Sequence, residues 1–188
     1  MGGNLIDAEQ RTQCLALARE SIRHGLLTGH KMNPPKATDN LLVGMGACFV
    51  TLTIHGQLRG CIGTLEPYRS LIDDICGNAY SSAFQDSRFP QVTNEELATL
   101  TIGISVLGPL EEIQFTNEDD LIRQIIPYED GLVLEEEHHR GTFLPIVWDS
   151  LPTARVFLTE LKRKAGLPSD YWSSSLRCSR YRTIIFKE

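Results

Sequence analysis

The chain has 188 residues, 41% apolar and 22% charged, enough to bury a sizeable core as one domain or as two lobes sharing an interface. A formal charge of -6, with no Lys/Arg-rich run carrying interleaved aromatics, argues against a nucleic-acid backbone as partner. No stretch approaches the roughly 20 apolar residues of a membrane helix, and Met1-Gly2-Gly3-Asn4-Leu5-Ile6-Asp7 lacks the basic start and apolar run of a signal peptide, so a cytoplasmic protein is expected.

The five cysteines (Cys14, Cys48, Cys61, Cys76, Cys178) are odd in number, widely spread and without a CxxC pair, which excludes the usual zinc and thioredoxin spacings. Cys14 and Cys76 fall in apolar helical patterns and read as small buried hydrophobes.

The first element reads as a helix from about Ala8 to Leu27, opened by an Asp7/Gln10 capping box and carrying Leu15, Ala18, Ile22 and Leu26 at helical spacing. A loop follows from Gly29 to Asp39, with Pro34-Pro35 excluding helix and strand interiors. Ala47 to Ile54 alternates as a strand, His55-Gly56 suits a two-residue turn, and Gln57 to Leu65 returns. Ser70 then caps a helix with Ile72, Ile75, Cys76, Ala79 and Ala83 on one stripe.

Thr93 and Glu96 form a capping box for a short helix, and Leu100 to Leu107 alternates as a strand. Asn117 to Ile126 suits another short helix, with acidic residues in its first turn where the helix dipole favours them. A second hairpin is expected from Leu132 to about Glu137 and from Thr142 to Val147, with His138-His139-Arg140-Gly141 at its tip. Ser150 is the expected cap of a last helix with Pro152 in its first turn, and Tyr181 to Phe186 reads as the final strand. The order hairpin then helix occurs twice, at 47–87 and 131–165, as a duplication would leave it.

Two motifs could carry chemistry. In Arg59-Gly60-Cys61-Ile62-Gly63, regular strand alternation puts Arg59, Cys61 and Gly63 on one face, and a guanidinium beside a thiol favours the reactive thiolate. The glycines weaken a strand and are tolerable where a ligand or another backbone approaches closely. A packing cysteine, with Arg59 paired to a structural carboxylate, accounts for the same pattern, and spacing alone favours it. Asp86-Ser87-Arg88-Phe89-Pro90 could bind a polar ligand or simply hold a turn, and locally the turn is preferred.

His138 and His139 are adjacent, so on a strand they point to opposite faces and cannot chelate together. Gly44-Met45-Gly46 lacks the third glycine and the following helix of a dinucleotide fingerprint. No metal or organic cofactor is expected.

The segments Gly46-Ala47-Cys48-Phe49-Val50-Thr51-Leu52, Leu58-Arg59-Gly60-Cys61-Ile62-Gly63, Asp86-Ser87-Arg88-Phe89, Ile104-Ser105-Val106-Leu107, Gly141-Thr142-Phe143-Leu144-Pro145 and Lys164-Ala165-Gly166-Leu167-Pro168 occur in the order of the AMMECR-type domain, which the chain resembles along nearly its whole length. The resemblance implies an α+β fold of two lobes (about 40–107 and 110–186 of a single 1–188 domain), built from antiparallel hairpins packed with helices, with the Arg-Gly-Cys motif lining a cleft between them. It also implies a family without an established biochemical activity. The family's prokaryotic members resemble the first component of a three-protein set, alongside a Memo-like protein and a radical SAM enzyme.

The site residues the resemblance brings to this chain are Arg59, Gly60, Cys61, Gly63, Asp86, Arg88 and Pro145. Ile146 stands where relatives often carry a glutamine. Two readings follow. In the first, Cys61 is a nucleophile activated by Arg59, with Asp86 and Arg88 orienting a small polar substrate. In the second, the same surface docks the other pathway members without turnover.

Overall fold

The computed structural model describes residues 6–36 and 39–188. Residues 1–5 of the N-terminal segment, and 37–38 of the expected loop, lie outside the described residues. In chain order the elements are α1 (Ala8–Thr28), α2 (Asn40–Val43), β1 (Met45–Gly46), β2 (Cys48–Ile54), β3 (Gln57–Gly63), β4 (Arg69–Ser70) and α3 (Leu71–Phe84). A 3-10 turn at Glu96–Ala98 leads to β5 (Leu100–Leu107), β6 (Glu111–Glu112), α4 (Glu118–Gln124), β7 (Gly131–Glu136) and β8 (His139–Phe143). A second 3-10 turn (Pro145–Asp149), α5 (Ala154–Lys164), β9 (Arg177–Tyr181) and β10 (Thr183–Lys187) complete this α+β chain. It divides into two compact units, residues 1–107 with 184–188, and residues 108–183.

The first unit is a four-stranded sheet in the order β10-β5-β2-β3, with α1 and α3 in its core. α1 begins as its sequence dictates: Asp7 accepts the Gln10 N–H at 2.8 Å, and Gln10 accepts the Asp7 N–H at 3.0 Å. Gly29, at φ 74, ends it. His55 and Gly56, both at positive φ, make the tight turn between β2 and β3. Cys48, Val50 and Leu52 of β2 and Leu100, Ile102, Ile104 and Val106 of β5 face the core, sealed by Ile72, Ile75, Cys76, Ala79 and Ala83 of α3. Burying this set is the main stabilising term, about 1.5–3 kcal/mol for each fully buried large aliphatic side chain.

The second unit is a sheet in the order β6-β9-β7-β8, with a core that includes Leu121 of α4 and Phe157, Leu158 and Leu161 of α5. Trp148 stacks on Phe157 with ring centroids 3.8 Å apart. Lys162 is fully buried there and pairs with Glu118 at 2.9 Å.

Four expectations change. The second hairpin turns at Glu137-His138, with Glu136 opposite His139, so β8 runs His139–Phe143 and His139-Arg140-Gly141 belong to the strand, not the tip. Pro145 has no N–H for a ladder and instead opens a 3-10 turn where the expected strand would have continued. Thr153, not Ser150, caps the last helix, which leaves Pro152 just ahead of it. Finally, Tyr181–Phe186 is not one strand. It breaks at Arg182, whose carbonyl accepts the Gly108 N–H at 2.7 Å, so Tyr181 closes β9 and Phe186 lies in β10, in different sheets. Apolar alternation marks both halves equally and cannot reveal that switch.

Candidate functional site

β3 is an edge strand of the first sheet. Its register against β2 pairs Thr51 with Cys61 and Leu52 with Gly60, then Thr53 with Leu58, so a bulge leaves Arg59 without a partner on β2. Regular alternation, which had put Arg59 beside Cys61 on one face, fails at this residue. The Arg59 side chain, only 12% exposed, runs instead to Glu96, with Nε–Oε1 2.8 Å and Nη2–Oε2 3.0 Å. It also donates to the carbonyls of Pro90 at 2.8 Å and Gln91 at 3.1 Å. Its bidentate hydrogen bond holds the Glu96 carboxyl below the usual carboxylate range.

The second motif closes over the same edge. Asp86, buried just beyond α3, accepts the Cys61 N–H at 2.8 Å, and Arg88 Nη2 donates to the Cys61 carbonyl at 3.1 Å. Asp86 is itself gripped by Arg88 at 2.9 and 2.7 Å, and that hydrogen bond holds its carboxyl well below the usual range. One residue on, Ser82 of α3 accepts the Ile62 N–H at 2.9 Å and donates to the Val50 carbonyl at 2.8 Å. The outward N–H and C=O of Cys61, which on an edge strand would otherwise need water or another chain, are therefore met by side chains, while Ser82 bridges Ile62 to its β2 partner Val50.

The glycines follow from the same packing. A Cβ on Gly60 would lie 2.1 Å from the Ser82 carbonyl oxygen, and one on Gly63 would lie 2.2 Å from the Phe49 ring. At Gly60 the close approach is by another backbone, one of the two causes the sequence left open.

On the face of the sheet opposite the core lie Phe49, Thr51 and Thr53 of β2 and Thr101, Gly103 and Ser105 of β5, all half-buried, with Cys61 beside Thr51. The Cys61 sulfur is 3.3 Å from Thr51 Oγ1. Cys61 alone of the five cysteines is not buried. Burial pushes the thiol of Cys14 up to about 11 and those of Cys76 and Cys178 up to about 12, and it raises that of Cys48 as well.

Of the residues nominated from sequence, Arg59, Gly60, Cys61, Gly63, Asp86 and Arg88 come together in the first unit, while Pro145 is a buried residue of the second. Ile146 beside it is 65% exposed. Sequence reasoning missed Glu96 and Ser82. Glu96 had been assigned to the capping box, and its Oε2 does accept the Thr93 N–H at 2.9 Å while also holding Arg59. The only signal for Ser82 was a small polar residue beside the apolar stripe of α3.

This edge-strand clamp and its polar sheet face occur on a chain whose residues 15–186 match the AMMECR1 family model, and the chain belongs to that family. A Methanothermobacter thermautotrophicus protein is 36% identical over 178 residues, covering 92% of this chain and 91% of its own length. A Methanocaldococcus jannaschii protein is 37% identical over 149 residues, covering 75% and 72%. The crystal structure of an uncharacterised Pyrococcus horikoshii protein superposes with a TM-score of 0.83 at 35% identity, over 97% of this chain and 93% of that one.

Proposed function

We propose that the Cys61 surface is a rigid binding surface through which this protein docks the other members of a shared pathway, a Memo-like protein and a radical SAM enzyme. One observation supports this reading above others. The charged side chains of both motifs are engaged in holding main chain: Arg59, itself paired with the Glu96 carboxylate, on Pro90 and Gln91, and Asp86 and Arg88 on Cys61. A site so built offers shape and a fixed peptide geometry, and its ion pairs are already internally neutralised. Preorganisation of this kind lowers the entropic cost of association.

The test is a binding titration of the chain with the purified Memo-like and radical SAM proteins of the same genome. Wild type should bind at least one, and Thr51→Lys, at unchanged melting temperature, should not. Equal binding by the variant would remove the surface from the interface.

A second reading, thiol chemistry at Cys61, is supported by the accessibility of that thiol alone among five. In it the Cys61 thiol adds across a polarised C=C bond of a small polar substrate, the sulfur bonding to one carbon as the π bond breaks and the thiol proton passing through solvent to the other; Thr51 Oγ1 stands 3.3 Å from the sulfur, and Arg59 supports the strand. Turnover of a candidate substrate that Cys61→Ser abolishes, with pathway partners absent, would select it over docking.

A further inference from the structure

Away from the Cys61 surface, the first unit has a cavity of about 670 Å³, a volume typical of small-molecule sites. One wall is a stripe of α1 at helical spacing, from Gln13 through Ala16 and Leu17 to Glu20. Leu42 of α2 and Ile72 of α3 form the floor. They are 4% and 6% exposed and belong to the core of that unit, and Leu17 packs against it. Pro35 and Lys36, with Asp39 at the start of α2, complete the lining.

Local chemistry holds this space open. Asp39 accepts the Leu41 N–H at 2.8 Å, which caps α2, and the Gln10 side-chain amide at 3.2 Å, which ties that cap to α1. Ala16, the smallest side chain of the stripe, leaves room that a larger residue would fill.

Charge selects the occupant. Both acidic side chains of the lining are already answered, Asp39 by those two donors and Glu20 by Arg23 at 2.6 Å. Lys36 is exposed, and its ammonium meets no partner among the described residues. An apolar floor with one uncommitted cation beside it suits a hydrocarbon body that carries a single carboxylate. The stripe from Gln13 to Glu20 is about 10 Å long, the reach of an extended eight-carbon chain.

We infer that this cavity binds a medium-chain carboxylate, with its chain laid along Ala16, Leu17, Leu42 and Ile72 and its head group on Lys36 Nζ. The association is non-covalent and independent of the docking surface.

The test titrates the full chain with octanoate, and with 1-octanol and octylammonium as uncharged and oppositely charged counterparts, read by the methyl shifts of Leu17, Leu42 and Ile72. Octanoate should saturate below about 10 mM, move those methyls, and bind at least about threefold more tightly than either counterpart. Lys36→Gln should remove that preference and leave 1-octanol unchanged. Ala16→Trp should fill the cavity and abolish binding of all three. Both substitutions fall at exposed positions and should leave the melting temperature as it is in wild type. Saturation without those methyl shifts, equal affinity for octanoate and octylammonium, a preference that survives Lys36→Gln, binding that survives Ala16→Trp, or no saturation would overturn the proposal.

Discussion

Replacing Asp86 by Ala removes the acceptor of the Cys61 N–H and the partner of Arg88 in one step. The Asp86 side chain is 4% exposed, whereas that of Arg88 is 55% exposed, so the two losses differ in weight. Arg88 rehydrates, and its half of the pair contributes no more than about 1 kcal/mol. The Cys61 N–H cannot follow it into water, and a lost hydrogen bond to a charged group costs about 1.5–3 kcal/mol. The sum is about 2–4 kcal/mol, or a fall in melting temperature of about 4–16 °C for a chain of this size.

The pH dependence has a definite sign. Arg88 depresses the Asp86 carboxyl in the folded state, so its stabilisation is complete above the unfolded value, about 3.9, and is lost as pH falls below it. Asp86→Asn should accordingly show a shallower loss of stability below about pH 4 than wild type. Urea denaturation followed by circular dichroism at pH 7 and pH 3 measures both effects. A change of less than about 0.5 kcal/mol in Asp86→Ala at pH 7 would refute the clamp.

Gly60→Ala forces a Cβ against the Ser82 backbone and should cost about 3 kcal/mol in the same assay, whereas Gly103→Ala, whose nearest neighbours stand at 3.8 Å, should be neutral or slightly stabilising. Arg59→Ala strands a partly buried Glu96 carboxylate and should cost about 2–3 kcal/mol, less than a fully buried pair because Glu96 keeps some access to water. With a thiol-reactive dye, native protein should label rapidly at Cys61 alone, and the other four cysteines should label only on unfolding; labelling of Cys14 at a similar rate would contradict their burial.

Much of the fold is written in local patterns. The Asp7/Gln10 box, the His55-Gly56 turn, the Ser70 cap and the alternation of Leu100–Leu107 each depend on neighbours a few residues away, and each appears where the pattern puts it. What escaped depends on distant partners. The bulge at Arg59 is fixed by the register with β2, and the break at Arg182 by which sheet accepts each half.

The candidate site shows the same division. The family resemblance nominated Arg59, Cys61, Asp86 and Arg88 together; Asp86 and Arg88 reach the Cys61 main chain, but Arg59 turns elsewhere. A two-residue spacing implies a shared face only in an unbroken strand, and one inserted residue sends the guanidinium to Glu96 instead. Glu96 and Ser82 escaped notice because each already had an adequate local explanation.

The central claim is that the face carrying Cys61 is a docking surface held rigid by the two motifs. Alkylating Cys61 in the native protein places bulk on that face without touching the clamp, so titrating alkylated and unmodified protein into the Memo-like and radical SAM partners tests it directly. The account predicts that unmodified protein binds and that alkylated protein, with its melting temperature unchanged, does not. Binding that survives alkylation, or no binding by the unmodified chain, would contradict it.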